Sequence, residues 1–445
     1  MSRWWCEHAV LPDGPQSGIT IDATDGRITA IAPDPSPPRD AVRLAGVTIP
    51  GLANTHSHAF HRALRSRTQA GSGSFWTWRD VMYEAAGRLD PDNYRRLARA
   101  VFAEMVTAGH TVVGEFHYVH HQPDGTPYDD ANAMGAALLE AAGEAGLRIT
   151  LLDTLYLHGG LDADGYRPVS DAQRRYADAG AEAWVDRVAG LAAGPGQAIG
   201  AAIHSVRAVD PAAAAVVARW ADAAQAPVHA HVSEQPAEND ACLAHHGRTP
   251  MALLGGVGAL GPRFSAIHAT HLEPGDIDLL AATGASVGLC PTTERDLGDG
   301  IGPSVDLGAT GVGMHLGSDS HAVIDHFVEA RAVELHERLR AEQRGLHSAA
   351  ALLTMATRNG HGALGWPDAG ALAVGMRADL VTVRLDSQRT AGTPDDAVIE
   401  AVVFAATAAD VTDVVVDGRA VVADGRHLTL DVPGELDAAI KELFA

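Results

Sequence analysis

The residues in this sequence with the clearest chemical potential are histidines at short, regular spacings. His56 and His58 form an H-x-H pair in NTHSHAFHRAL, and His61 follows three residues later. In a strand, residues i and i+2 point to the same side, so the two imidazoles could share one metal ion. VHAHVSEQ repeats the pattern: His229 and His231 share a face, and either could supply a third imidazole. Asp319, in HLGSDS after an apolar run, reads as a metal-binding carboxylate or as a helix N-cap. Three imidazoles and one carboxylate suit zinc and leave room for a water, whose pKa the metal lowers toward about 7. Glu234, three residues beyond His231, is a proton carrier in such a pocket and a surface charge outside one. His268, in IHATHL, is either a base beside the metal water or a satisfied core histidine.

What must position these residues is a series of strands. GVTIPGLANTHSH, TVVGEFHYVHH, ITLLDTLYLHGG, AIGAAIHSVRAV, APVHAHVSEQ, FSAIHATHL, ASVGLCPTTER and TGVGMHLGSDS are apolar runs, and helical stretches such as NYRRLARAVFAEMVTAG separate most of them. Eight β/α alternations predict an α/β fold, a (β/α)8 TIM-like barrel over residues 49–365. Most of the runs end in polar groups: His56 and His58, His117 and Tyr118, His204 and Arg207, His231 and Glu234, His268, Asp319. A barrel gathers all strand C-termini on one face, where its active site sits. The ends of the chain differ in texture. SGITIDATDGRITAIAP and ADVTDVVVDGRAVVADGR are short strands with Asp-Gly turns. They predict a small β-sandwich domain made from residues 1–48 and 366–445.

Composition narrows the function classes. The chain has 445 residues, 46% of them hydrophobic, and a net charge of −23. Nucleic-acid binding needs clustered Lys and Arg, so it is excluded. No apolar run reaches the length of a membrane span, and the start of the chain lacks the apolar core of a signal peptide. A cytoplasmic protein is expected. The three cysteines, Cys6, Cys242 and Cys290, form no C-x-x-C pair. Lys441 is the only lysine, which excludes Schiff-base, P-loop and carbamylated-lysine chemistry inside the barrel. The small β domain and apolar helices point to a homodimer.

PGLANTHSH, HAHVSE, IHATHL and LGSDS together resemble the amidohydrolase superfamily, on its mononuclear deaminase branch, over essentially the whole chain. HSHAFHRAL, SFWTWRDVMY, GEFHYVHH, IHSVRAV and PTTERDLGDG are similar to the formimidoylglutamate deiminase family within it. That resemblance implies hydrolysis of N-formimino-L-glutamate, a small dianion, to N-formyl-L-glutamate and ammonia in histidine degradation. It implies one zinc per chain held by His56, His58, His231 and Asp319. It makes Glu234 and His268, with Asp319, the proton carriers, and Arg79, Tyr118, His204 and Arg207 the substrate contacts. Arg pairs with carboxylate through two parallel hydrogen bonds, and Arg79 lies in FWTWRD, an aromatic stretch expected to be a loop over the pocket. Trp76 and Trp78 are expected to pack that loop. His61 stands where the family is expected to carry Gln, so it takes the place of one substrate contact. His117, His120 and His121 are expected to pack or support rather than to bind a second metal. The alternatives are an aminohydrolase acting on N-formimino-L-aspartate or a nucleobase, and a catalytically silent barrel scaffold.

Overall fold

The computed structural model describes residues 2–69 and 75–445, with the backbone alone at 75–77. The eight apolar runs form eight strands: β1 Leu52–Ser57, β2 His110–His117, β3 Arg148–Leu155, β4 Gln197–Ile203, β5 Val228–Val232, β6 Phe264–His268, β7 Ser286–Leu289 and β8 Met314–Leu316. Each pairs in parallel with the next. A bridge between Ser57 and Asp319 joins the first strand end to the last. Parallel strands covered on both faces read as continuous apolar runs; every residue of ITLLDTL in β3 is buried.

Helices cover the outside. In Pro91–Thr107, Asp90 caps the first turn in a reciprocal box with Asn93 and a proline occupies the first position. Its buried stripe includes Tyr94, Leu97, Ala98, Val101 and Met105, the spacing of one helical face. The aromatic stretch around Arg79 corrects one expectation: Phe75–Gly87 is a helix, not a loop. Its inner residues Met82, Ala85 and Ala86 are buried. Trp78 packs against the core cluster, whereas the Trp76 side chain lies outside the described residues. Among the described residues no helix is long and apolar enough to cross a membrane.

Both ends of the chain meet in a second eight-stranded sheet. Val42–Pro50 sits at its centre, parallel to Ser2–Leu11 and antiparallel to Leu380–Val383. Asp25 and Gly26 both adopt positive φ (50° and 76°), the turn that joins Gly14–Thr24 to Arg27–Pro33. Trp4, Ile19, Ile21, Leu44 and Leu380 form the core of this sheet.

One buried ion group fastens it to the barrel. Arg148, at the start of β3, donates to both oxygens of Asp379, with Nη1 at 2.9 Å from Oδ1, and lies 3.1 Å from Asp417. Arg148 and Asp379 are each 2% exposed. Breaking such a pair leaves an uncompensated buried charge and costs about 3–5 kcal/mol. Arg148→Met is therefore expected to lower the urea midpoint of unfolding by that equivalent. An unchanged midpoint would mean that the pair contributes nothing to the join.

Candidate active site

The strand ends converge as the alternation requires. His56 and His58 project from the end of β1, His231 from β5, and Asp319 from the turn after β8. His56 Nε2 lies 3.1 Å from His231 Nε2 and 3.4 Å from Asp319 Oδ1, and His58 Nε2 is also 3.4 Å from Asp319 Oδ1. Gly317 permits this approach: a Cβ there would stand 2.6 Å from that of His56. The backbone is strained at the same rim. Ser233, His268, Ala269, Asp319 and His321 all have positive φ without being glycine, a conformation held only when the surroundings over-determine it.

The donor set fits a divalent cation. His58 Nδ1 donates to the Phe116 carbonyl at 2.9 Å, and His231 Nδ1 to the His204 carbonyl at 2.8 Å. Those bonds leave each Nε2 lone pair facing the cluster. Burial holds His56 and His231 well below the ordinary histidine range, so both are neutral and each can offer a lone pair. Burial pushes the Asp319 carboxyl up, but the surrounding imidazoles, His268 foremost, bring it below the usual range. His56 Nε2 and His231 Nε2, 3.1 Å apart, can both face one cation when His56 carries its proton on Nδ1. Ligands about 2.0–2.1 Å from a tetrahedral ion stand about 3.3 Å from one another, the spacing found here. Of the two histidines that alternation left open in β5, His231 joins this group. His229 Nε2 instead donates to the Ala363 carbonyl at 3.2 Å.

The expected proton carriers lie beside the cluster. His268 Nε2 is 3.8 Å from Glu234 Oε1 and 3.8 Å from Asp319 Oδ2. Burial acts to lower the His268 pKa, but Glu234, Glu294 and Asp319 raise it to about 10. Glu294, 3.4 Å from His268 Nδ1, carried no assigned role in the sequence reading, although it lies in PTTERDLGDG. Arg207 spans two carboxylates, at 3.1 Å from Glu234 and 3.1 Å from Glu238.

The expected substrate contacts share one cavity with these groups. His61, Arg79, Tyr118, His204 and Arg207 line it together with His58, His231, Glu234, His268 and Asp319. His61 sits in a 3-10 helical turn, Ala59–Leu64, and its Nε2 is hydrogen bonded to the Tyr118 hydroxyl at 3.0 Å. The Arg79 guanidinium lies 5.3 Å from the centre of the Tyr83 ring. Tyr83, Tyr156 and Tyr176 also line the cavity. Tyr83 lies in the helix Phe75–Gly87, Tyr156 just past the end of β3 and Tyr176 at the end of the 3-10 helix Asp171–Tyr176, so no shared periodicity singles them out in the sequence.

His117 and His120 gather near Asp153. Arg187 donates to both oxygens of Asp153 at 2.9 and 3.0 Å, and the Trp184 indole N–H donates at 2.9 Å. That carboxylate is thereby committed to protein partners. His120 Nε2 donates to the Thr154 carbonyl at 2.8 Å.

Residues 47–421 match the amidohydrolase family. A formimidoylglutamate deiminase of Pseudomonas aeruginosa is 39% identical over 442 residues, 96% of each chain. The crystal structure of an amidohydrolase from Brucella melitensis superposes with a TM-score of 0.91 at 32% identity over 100% of both chains. An adenosine deaminase from Xanthomonas campestris, solved with bound zinc, gives a TM-score of 0.82 at 23% identity over 99% of this chain and 97% of that one, a likeness of fold.

Proposed function

The chain belongs to the amidohydrolase family, and from that membership we propose that it hydrolyses N-formimino-L-glutamate to N-formyl-L-glutamate and ammonia. The observation that carries the substrate assignment is the placement of two guanidinium groups, Arg79 and Arg207, on the cavity that also holds His58, His231 and Asp319. In a protein with a net charge of −23, two guanidinium groups beside the reactive groups suit a dianion, because Arg fixes a carboxylate in both charge and angle, and Arg207 has donors for this beyond those that face Glu234 and Glu238.

A divalent ion held by His56, His58, His231 and Asp319, which we read as one zinc per chain, supplies Lewis acidity and a water acidified toward a pKa of about 7. The chain's own groups manage the protons. Asp319 takes the proton of the attacking water, and the His268 imidazolium, kept charged by its carboxylate neighbours, sets the direction of attack. Water adds to the formimino carbon, whose C=N bond becomes a single bond at a tetrahedral centre. Glu234 delivers a proton to the terminal nitrogen as the tetrahedral centre forms, the proton held by Asp319 passes to the same nitrogen, and the C–N bond breaks as the hydroxyl proton returns to Glu234, which releases ammonia and leaves the formyl C=O. Tyr118, with His61 on its hydroxyl, and His204 hold the substrate backbone, while Arg79 and Arg207 take its carboxylates.

Purified zinc-loaded protein should release ammonia from N-formimino-L-glutamate faster than from N-formimino-L-aspartate or guanine. No release at full metal occupancy rejects the assignment, and a preference for either other compound reassigns the substrate. Metal removal provides a second check. Dialysis against a strong chelator is expected to abolish ammonia release, and about one equivalent of zinc per chain to restore it. Undiminished activity in metal-stripped protein would contradict the hydrolytic mechanism.

A further inference from the structure

Next to the ligand cluster, but outside the cavity lining, lies a chain of fully buried polar side chains: Glu115, Ser57, His321, Ser318 and Asn54. Strand alternation sends Ser57 to the opposite side of β1 from His56 and His58. There it meets Glu115, its register partner on β2. Ser57 Oγ is 2.5 Å from Glu115 Oε2, and the backbone N–H of Ala59 donates to Glu115 Oε1 at 2.7 Å. One carboxyl therefore grips the residues immediately before and after His58. His321 continues the chain, with Nε2 3.1 Å from Ser57 Oγ and Nδ1 3.0 Å from Ser318 Oγ. Asn54 completes it: its Nδ2 donates to Ser318 Oγ at 2.7 Å, and its Oδ1 accepts from the Ser318 N–H at 2.9 Å.

We propose that Glu115 is a positioning residue: it fixes the backbone on both sides of His58, and the Ser57–His321–Ser318–Asn54 chain carries that hold to the turn bearing Asp319. This rests on reading His56, His58 and Asp319 as metal ligands. The chain runs beside the Ser57–Asp319 bridge, where the first and last strand ends meet, and so bears on the distance between ligands from opposite ends of the barrel. Buried polar groups are costly unless every partner is supplied, and here the two donors on Glu115 and both nitrogens of His321 are engaged. The grip does not depend on the proton inventory. As a carboxylate Glu115 accepts from both partners; as an acid it donates to Ser57 and still accepts from Ala59.

The test compares Glu115→Met, which keeps the volume and removes both bonds, with Glu115→Gln, whose amide can accept from Ala59 and donate to Ser57. Zinc transfer to a chromogenic chelator is timed well below each variant's melting temperature, and kcat and KM are measured separately. Outer partners of metal ligands are typically worth about 10- to 100-fold in metal affinity. Glu115→Met is expected to release zinc faster by that factor and to lose kcat with little change in KM, and Glu115→Gln to recover most of both. Ser318→Ala, which removes a single hydroxyl, is expected to release zinc faster as well and decides the matter if Glu115→Met does not fold. Wild-type release from folded Glu115→Met overturns the proposal, as does wild-type release from Ser318→Ala when that variant decides. Glu115→Gln releasing zinc as fast as Glu115→Met overturns it too, since charge rather than hydrogen bonding would then be responsible. A wild-type protein that takes up no zinc overturns the ligand reading instead.

Discussion

Glu234→Gln is expected to lower kcat by about 10²- to 10⁴-fold, the range a positioned proton carrier contributes, while the protein keeps its metal. The amide has the size of the carboxyl it replaces and can still accept a hydrogen bond from Arg207, which lies 3.1 Å from Glu234. What it cannot do is gain and give up a proton within the cycle. Glu234 stands 3.8 Å from His268 Nε2, and His268 in turn reaches Asp319, so the loss falls on the step in which nitrogen acquires its proton. Substrate binding depends on other groups, and KM should move by less than an order of magnitude. Ammonia release measured alongside metal content separates the outcomes. A kcat within a few-fold of wild type, with zinc bound, would assign the proton delivery elsewhere.

The parts of this site that could be read in the sequence are those whose signal is local. Each barrel strand is a short apolar run that ends in polar groups, and strand alternation by itself aims His56 and His58 at one point. The same alternation could not separate His229 from His231. That choice is made by the Ala363 carbonyl, 134 positions away, which accepts a hydrogen bond from His229 Nε2. Glu115 was visible as an acid inside the buried run TVVGEFH, but its partner follows only from the register that sets it opposite Ser57. The helix around Arg79 was missed for a different reason. Phe, Thr and Trp are middling helix formers, and the segment is held helical by burying Met82, Ala85 and Ala86, a tertiary contribution that a propensity reading does not contain.

Arg207 is where the structure changes the expected result most. As a strand-end arginine it should serve the substrate alone, and Arg207→Ala should then raise KM and spare kcat. In the fold its guanidinium also lies 3.1 Å from Glu234 and 3.1 Å from Glu238. Glu238 is 1% exposed and accepts the Ser233 N–H at 3.2 Å. Burial already raises the Glu238 pKa, Glu234 raises it further, and Arg207 opposes both. Removing the cation leaves Glu238 without its counter-charge and takes away the guanidinium that holds the neighbouring Glu234 in place. Glu234, repelled by Glu238 and no longer held toward the reacting nitrogen, would deliver its proton less often, and kcat should fall together with the rise in KM. A hydrogen bond to a charged group is worth about 1.5–3 kcal/mol, which places the rise in KM at roughly 10- to 100-fold. A second substitution distinguishes the two roles. Adding Glu238→Gln to Arg207→Ala removes the surplus carboxylate and should restore part of kcat while KM stays high. If Arg207→Ala alters KM alone, its contact with Glu234 has no part in the proton transfer; if the double variant recovers nothing in kcat, the coupling through Glu238 is wrong.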